Sequence, residues 1–331
     1  MTKLKKAVVK LGGKCNLKCK NCHCMPMKYK YNPDIIQWIN DNKIELIGLC
    51  GGEPFLFFDI IKEIVPRLNF DIIKRIQLTT NGTLVTQEII DFCRQYNIFV
   101  AISYDGRYSK RDGDPANLEL ISQLDGVGTS SVFYHDNTNI HQIIYDIKEL
   151  GKKYDLSSKN SKTVTPMFVH QTKYSPNADT TKEDAKQYIQ QICQRMEYSL
   201  MSYKQEDPVY GLGTVFWFIK HFLNHEPYTV GCKCCNSNNV SLAIDGRFLL
   251  CPYGDTFVGD IYNGVDWEKV DSYIPIKCKK CSLRSICGSA CIAQITDNEC
   301  YIFRCLYKHY KKLLKKYNID EEKILNSNLY D

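Results

Sequence analysis

Cys15, Cys19 and Cys22 constrain this chain more than any other feature. They stand in CNLKCKNCHC, residues 15–24, with the spacing C-x3-C-x2-C, and Cys24 follows two places on. A structural zinc site closes with four ligands, and a ferredoxin-type cluster also takes four. Three thiolates in one short loop instead suit a cubane iron–sulfur cluster with one iron left open for a small chelating molecule. The loop directly follows a short apolar strand, AVVKL at 7–11.

The other cysteines strengthen a metal reading. Of seventeen in the chain, four lie in residues 15–24 and ten in 232–305, with only Cys50, Cys93 and Cys193 between. The start is charged and runs straight into a strand, with no signal peptide and no apolar run of membrane-spanning length, so a cytoplasmic protein is expected. In that compartment, clustered cysteines argue for metal or redox chemistry over disulfides. Net charge is +6, but eleven cysteines are candidate thiolate ligands, which would cancel much of it. Basic residues are dispersed apart from KLKK and YKHYKKLLKK, solvated faces that give no nucleic-acid signature.

Strands and helices alternate through the first half. Strands are expected at 6–11, 44–49, 76–80, 98–103, 130–135 and 163–169. Helices are expected near 33–42, 57–68, 86–96 and 138–151, the first capped by Asn32 with Pro33 in its first turn. Repeated β–α order implies parallel strands with right-handed crossovers, and ligands in such sheets sit at the carboxyl ends of the strands. CGGEP at 50–54, TTNG at 79–82 and SYDG at 103–106 all fall at such ends. Helices follow at 181–203 and 212–224. In the second, Trp217, Phe218 and Phe222 read as core, and His170, His221 and His225 as surface or satisfied core histidines.

C-x3-C-x2-C after a first strand, with GGEP one β–α unit later, resembles the signature of radical S-adenosylmethionine (SAM) enzymes. One departure is Asn21, where that family usually places an aromatic residue before its third cysteine. The resemblance implies that Cys15, Cys19 and Cys22 hold a [4Fe–4S] cluster that binds SAM. It further implies that Gly51, Gly52, Glu53 and Pro54 hold the methionine amino group, the glycines by letting backbone approach the ligand. Ser103 matches the position used for ribose hydroxyls, Asn81 faces the same site, and Asp105 and Arg111 are further candidates. No residue stands out as a catalytic acid or base.

From 232 the pattern changes. Cys232, Cys234 and Cys235 precede VSLAIDGRFLLC, a hairpin with Asp245-Gly246 at its turn and Cys251 at its end. Then come Cys278-x2-Cys281-x5-Cys287-x3-Cys291, and finally Cys300 and Cys305. This field resembles the SPASM domain that follows many radical SAM barrels. The resemblance implies two auxiliary [4Fe–4S] clusters. One would take two of Cys232, Cys234 and Cys235 (here Cys232 and Cys235) with Cys251 and Cys291. The other would take Cys278, Cys281, Cys287 and a last cysteine, Cys305 in preference to Cys300 because it opens the final helix. A pair of zinc knuckles is the rival reading of C-x2-C spacing.

The expected fold is therefore α/β: a partial (β/α)6 TIM-type barrel of the radical SAM kind, followed by a small cysteine-rich SPASM-like domain with two auxiliary clusters. The expected divisions are 1–170 barrel, 171–228 bridging helices, 229–317 auxiliary-cluster domain and 318–331 tail. The implied chemistry is a 5′-deoxyadenosyl radical that abstracts hydrogen from a ribosomally made peptide, forming a thioether or carbon–carbon crosslink. Sulfatase-maturase-like oxidation of a protein side chain, peptide epimerisation and small-molecule modification are the alternatives, and Pro252 after Cys251 counts against the sulfatase case. A zinc-binding interaction module without catalysis is the alternative of a different class. Expected partners are the peptide, a one-electron donor of flavodoxin or ferredoxin type, and a separate leader-binding protein, since fourteen residues precede Cys15. Nucleic acid and membrane are not expected partners.

Overall fold

Alternate residues of the first strand face two different layers. Ala7, Val9 and Leu11 join the main apolar core, whereas Val8 and Lys10 point to the opposite face of the sheet. The computed structural model describes residues 4–19, 22, 24, 26–106, 117–124, 126–154, 162–163, 167–168, 180–204, 239–283, 297–320 and 322. Within these, β1 (Lys6–Lys10) leads through the cysteine loop to α1 (Asp34–Asp41). The alternation continues with β2 (Leu46–Cys50), α2 (Phe58–Ile64), β3 (Arg75–Thr80), α3 (Gln87–Gln95), β4 (Ile98–Ser103), α4 (Leu118–Ile121) and β5 (Val127–Ser130). Then come β6 (Val132–Phe133), α5 (Ile140–Lys153), β7 (Lys162–Thr163), β8 (Met167–Phe168) and α6 (Lys182–Lys204). The C-terminal part holds β9 (Asn239–Ala243), β10 (Arg247–Leu249), β11 (Phe257–Asp260), β12 (Gly264–Val265), α7 (Trp267–Ser272), α8 (Ile276–Lys279) and α9 (Asp297–Tyr317).

Local signals start the helices. Asn32 Oδ1 accepts the Asp34 N–H at 3.0 Å, Thr86 Oγ1 the Ile89 N–H at 3.4 Å, and Asn139 Oδ1 the Gln142 N–H at 3.0 Å. Each satisfies a donor that the first turn leaves open. Ile35, Ile36 and Ile39 of α1, Ile61 and Ile64 of α2, and Ile89 and Ile90 of α3 pack on one side of the sheet. Burying each such side chain is worth about 1.5–3 kcal/mol.

Among the described residues, β1 to β5 lie side by side in parallel, and β7 follows β5. On the other edge, β9 pairs with β1 in parallel, and β10, β11 and β12 add antiparallel strands to make ten in all. The expected hairpin is present as β9–β10, with Gly246 in the left-handed region at φ +91° where its turn needs it. Its first strand extends the same sheet as the cysteine loop's own strand. One apolar core runs through both parts, with Val240, Leu242, Phe248 and Val258 joining the residues of β1 to β4, and Trp38 meets Phe248 edge-on at 5.2 Å.

Several expected boundaries move. The strand expected at 130–135 begins earlier: β5 covers 127–130, and after Ser131 β6 leaves the main sheet to pair with β8. The strand expected at 163–169 divides in the same way, β7 in the main sheet and β8 in the second. Gly126 and Gly128 hid β5, because glycine is a poor strand former by composition. Here Gly126 lies where a Cβ would come within 3.1 Å of Phe99. The helix expected to 68 ends at Ile64 and tightens into a 3₁₀ turn at Val65–Arg67 that contains Pro66. The final helix starts at Asp297, so Cys305 lies in its third turn instead of opening it. The helix expected at 212–224, with its three aromatic residues and His221, lies outside the described residues, as do His170 and His225.

A second core joins α5, α6 and α9 through Ile144, Ile192, Met196, Phe303, Leu306 and Leu313. α6 opens with a reciprocal cap. Thr181 Oγ1 accepts the Asp184 N–H at 3.2 Å, and Asp184 Oδ2 accepts the Thr181 N–H at 2.7 Å and stands 3.0 Å from His135 Nδ1. Burial pushes the Asp184 carboxyl up, but the bonds from Thr181 and His135 outweigh it and hold its pKa below the usual value. A carboxylate with a lowered folded pKa stabilises above its unfolded pKa, and that stability is lost as pH falls through the folded value. Asp184→Asn should therefore cost about 1 kcal/mol at neutral pH. It should also flatten the loss of stability below about pH 4, as read by urea unfolding across pH. An acid limb as steep as wild type would exclude Asp184 as a source.

Candidate active site

The strand ends set the site. Past the ends of β1 and β2, backbone hydrogen bonds still join the two loops. Leu11 N–H donates to Cys50 O at 2.8 Å, Gly52 N–H to Gly12 O at 3.0 Å, and Glu53 N–H to Lys14 O at 2.9 Å. These bonds tie the glycine loop to the cysteine loop as far as Lys14, next to Cys15. They need backbone against backbone: a Cβ on Gly52 would lie 2.3 Å from Lys14 O, and one on Gly51 would lie 2.9 Å from Gly12 O. The expectation was that these glycines make room for a ligand. They also make room for the backbone of the cysteine loop, Gly12 to Lys14.

Glu53 holds the corner together. It is 1 % exposed. Its Oε1 accepts from Thr80 Oγ1 at 2.7 Å and from Phe55 N–H at 3.2 Å, and its Oε2 accepts from Asn81 N–H at 2.9 Å. Burial raises its pKa, and these bonds work the other way. The side chain thus ties the end of β2 to the end of β3. Pro54 opens the 3₁₀ turn that follows, where a missing N–H costs nothing.

Asn81 reaches across to the cysteine loop. Its Nδ2 donates to Asn16 Oδ1 at 2.9 Å and lies 3.9 Å from Cys15 Sγ, while its Oδ1 accepts from Thr83 N–H at 2.9 Å and Thr83 Oγ1 at 2.7 Å. Asn16 Nδ2 donates to Thr83 Oγ1 at 2.7 Å and closes the ring. Asn16 and Thr83 were missed by sequence reasoning, since neither carries a motif alone.

Cys15, Cys19 and Cys22 share this loop, with a turn from Cys22 N–H to Cys19 O at 3.1 Å. Burial pushes the Cys15 thiol pKa up, and the nearby Glu53 and Cys22 add to it. Cys24 points elsewhere: its Sγ donates to Gly51 O at 3.2 Å, and burial pushes its pKa up to about 12. Among the described residues no three His, Cys, Asp or Glu side chains form a ready-made metal cage. Metal binding and loop folding are commonly coupled, so three thiols on one loop need no preformed cage. The donor set fits a cluster with an open iron: three soft sulfur ligands, with the fourth cysteine turned to a backbone carbonyl.

Ser103 ends β4, half-buried on the face away from the helices. Asp105 is buried and accepts the Val132 N–H at 2.9 Å, so it fixes the bend between β5 and β6. Arg111 and Asn21 lie outside the described residues.

In the second cysteine field, Cys251 is buried just past β10, and Cys278 is buried in α8 with Cys281 beyond its end. Arg304 Nη2 lies 3.8 Å from Cys281 Sγ. Cys278 and Cys300 both act on the charge of Lys277. Cys305 instead acts on Cys193 of α6, across the helix pair. Cys232, Cys234, Cys235, Cys287 and Cys291 lie outside the described residues.

Residues 9–115 match the family model described as the Radical SAM superfamily. The radical SAM cyclopropyl synthase TigE of Paramaledivibacter caminithermalis is 21% identical, with 95% of this chain and 76% of that protein covered. An uncharacterized protein of Methanocaldococcus jannaschii is 31% identical over 37% of this chain, which spans about half, 48%, of that relative. Among solved structures, anSMEcpe with bound AdoMet and Cp18Cys peptide superposes with a TM-score of 0.63 at 15% identity, covering 95% of this chain and 99% of that one. Streptococcus suis SuiB bound to precursor peptide SuiA gives a TM-score of 0.57 at 14% identity, covering 86% and 71%. At these identities the structural likeness is one of fold.

Gly52→Val separates the two uses of the glycine. A side chain driven into Lys14 O should displace the cysteine loop, so iron and sulfide per chain fall after anaerobic reconstitution. Full iron loading with weaker SAM binding alone would mean that the space belongs to a ligand. Glu53→Gln keeps the shape but turns a donor towards Thr80 or Asn81. It should cost about 1–3 kcal/mol in chemical unfolding, and no loss would exclude Glu53 as the corner's tie.

Proposed function

We propose that this chain, an enzyme carrying a radical SAM domain, modifies a peptide by hydrogen abstraction and forms a thioether or carbon–carbon crosslink. The observation that carries the reading is the three-thiol loop held by backbone bonds against the glycine loop, at the carboxyl ends of parallel strands. Support for a peptide substrate comes from SuiB bound to precursor peptide SuiA and anSMEcpe bound to Cp18Cys peptide, solved structures of this fold.

In this reading Cys15, Cys19 and Cys22 hold the cluster, and Gly51 to Pro54, Asn81 and Ser103 line the place for SAM. When bound, the reduced cluster and SAM supply a 5′-deoxyadenosyl radical able to take hydrogen from an unactivated carbon. The chain's part is position and exclusion. Glu53 and Asn81 hold the loop at the strand ends, and the apolar layer of α1 to α3 keeps water from the other face of the sheet. Two auxiliary clusters complete the proposal. The first would take Cys232, Cys235, Cys251 and Cys291, and the second Cys278, Cys281, Cys287 and Cys305, with Cys300 as the alternative. A one-electron donor and a separate leader-binding protein are the proposed partners.

Single Cys15→Ala, Cys19→Ala and Cys22→Ala variants should lose SAM cleavage while keeping most of their iron. Retained cleavage in all three would refute the loop's assignment. Anaerobic coexpression with a short peptide encoded beside the gene should lower the peptide's mass by two hydrogens per crosslink, with fragmentation locating the bond. Unchanged mass with deuterium gained in heavy water would mean epimerisation, and no change in either would contradict a peptide substrate.

A further inference from the structure

We propose that Lys10 is a carboxylate-binding residue on the face of the sheet opposite α1 to α3, beside the cysteine loop. Strand register fixes where it lies. Lys10 is the last residue of β1, between Cys50 of β2 and Ala243 of β9. Its neighbour two places back, Val8, has Ser241 and Gly48 at its sides, and a Cβ on Gly48 would meet Val8 Cγ2 at 3.6 Å. These residues occupy the face opposite the helices. Further along that face stand Gln77 and Phe99, Ala101 and Gly128, then Ser103 and Ser130, each a register pair. Lys10 is thus flanked by small side chains and shares a face with Ser103.

The side chain is 0% exposed, and its Nζ has no hydrogen-bond partner among the described residues. An amine with three donors and no acceptor does not sit in an apolar interior without cause. Its position is towards the site: Lys10 lies near enough to Cys24 to act on that thiol, and Cys24 bonds to Gly51 O. Cys24 does not serve as the acceptor, since its Sγ donates to the carbonyl. What a buried nitrogen at this place lacks is an anion small enough to enter between strand ends, and a carboxylate fits. On the radical SAM reading, that carboxylate comes from the methionyl end of SAM or from the substrate. The nitrogen's need for an acceptor does not depend on that reading.

Lys10→Met keeps the length and apolar stem, and the test is run on anaerobically reconstituted protein. Thermal unfolding is read in acetate and in chloride at matched ionic strength, and binding of SAM and of decarboxylated SAM by equilibrium dialysis. Acetate should raise Tm for wild type and leave Lys10→Met unmoved. If SAM supplies the carboxylate, Lys10→Met binds SAM at least tenfold more weakly, with decarboxylated SAM bound equally by both. If the substrate supplies it, SAM affinity is unchanged and the acetate effect remains specific to wild type. Absence of both the acetate effect and the SAM difference overturns the proposal. Wild type that takes up no iron and binds no SAM would defeat the radical SAM reading, and the acetate arm would still decide on Lys10.

Discussion

A short run of backbone pairing beyond the ends of two strands governs the rest of the molecule's chemistry. β1 and β2 stop at Lys10 and Cys50, yet bonds from Leu11, Gly52 and Glu53 go on joining the loops that follow them. Cys15 is the next residue after Lys14, so its place is set by the sheet. Only residues without a Cβ let the loops approach so closely. Glu53 then locks this pair of loops to β3 from a buried position, where three donors compensate the cost of removing a carboxylate from water. The cysteine loop is presented by a rigid frame, as a site for a demanding cofactor requires.

The two faces of the sheet divide the work. On the helix side, isoleucines, leucines and valines of successive elements make one dense layer, which gives the fold its stability. On the other side stand small and polar residues such as Gly48, Ala101 and Ser103 beside Val8 and Phe99, and Lys10 has no hydrogen-bond partner among the described residues. A buried amine without an acceptor lowers stability, and proteins keep such costs where function needs them. Pairing β9 against β1 brings the hairpin that ends at Cys251 onto the edge of the same sheet, so the second cysteine field is anchored to the strand that bears the first.

Much of this was legible from local pattern. Apolar runs located β2, β3 and β4 to within two residues, because buried parallel strands leave continuous signals. Asn32 marked the first helix start through its side-chain cap. Nonlocal contacts were not legible. β5 was hidden by Gly126 and Gly128, and the split of the last strands depends on Ser131 and Asp105 bending the chain. The packing of Gly52 on Lys14 was not legible, because the two are neighbours in space and distant in sequence. Cys305 reads as the start of the final helix, yet that helix begins at Asp297. Lys10 gave a signal that went unused: a lone charge inside AVVKL, where every neighbour is apolar.

The most direct test of the central claim, that the cysteine loop presents an open-iron cluster to SAM, is low-temperature electron paramagnetic resonance of the reduced protein with and without SAM. The account predicts that SAM changes the spectrum of one cluster. It also predicts that the change disappears when Cys15, Cys19 and Cys22 are replaced together, while signals from the second cysteine field remain. A spectrum indifferent to SAM, in protein that retains its iron, would contradict it.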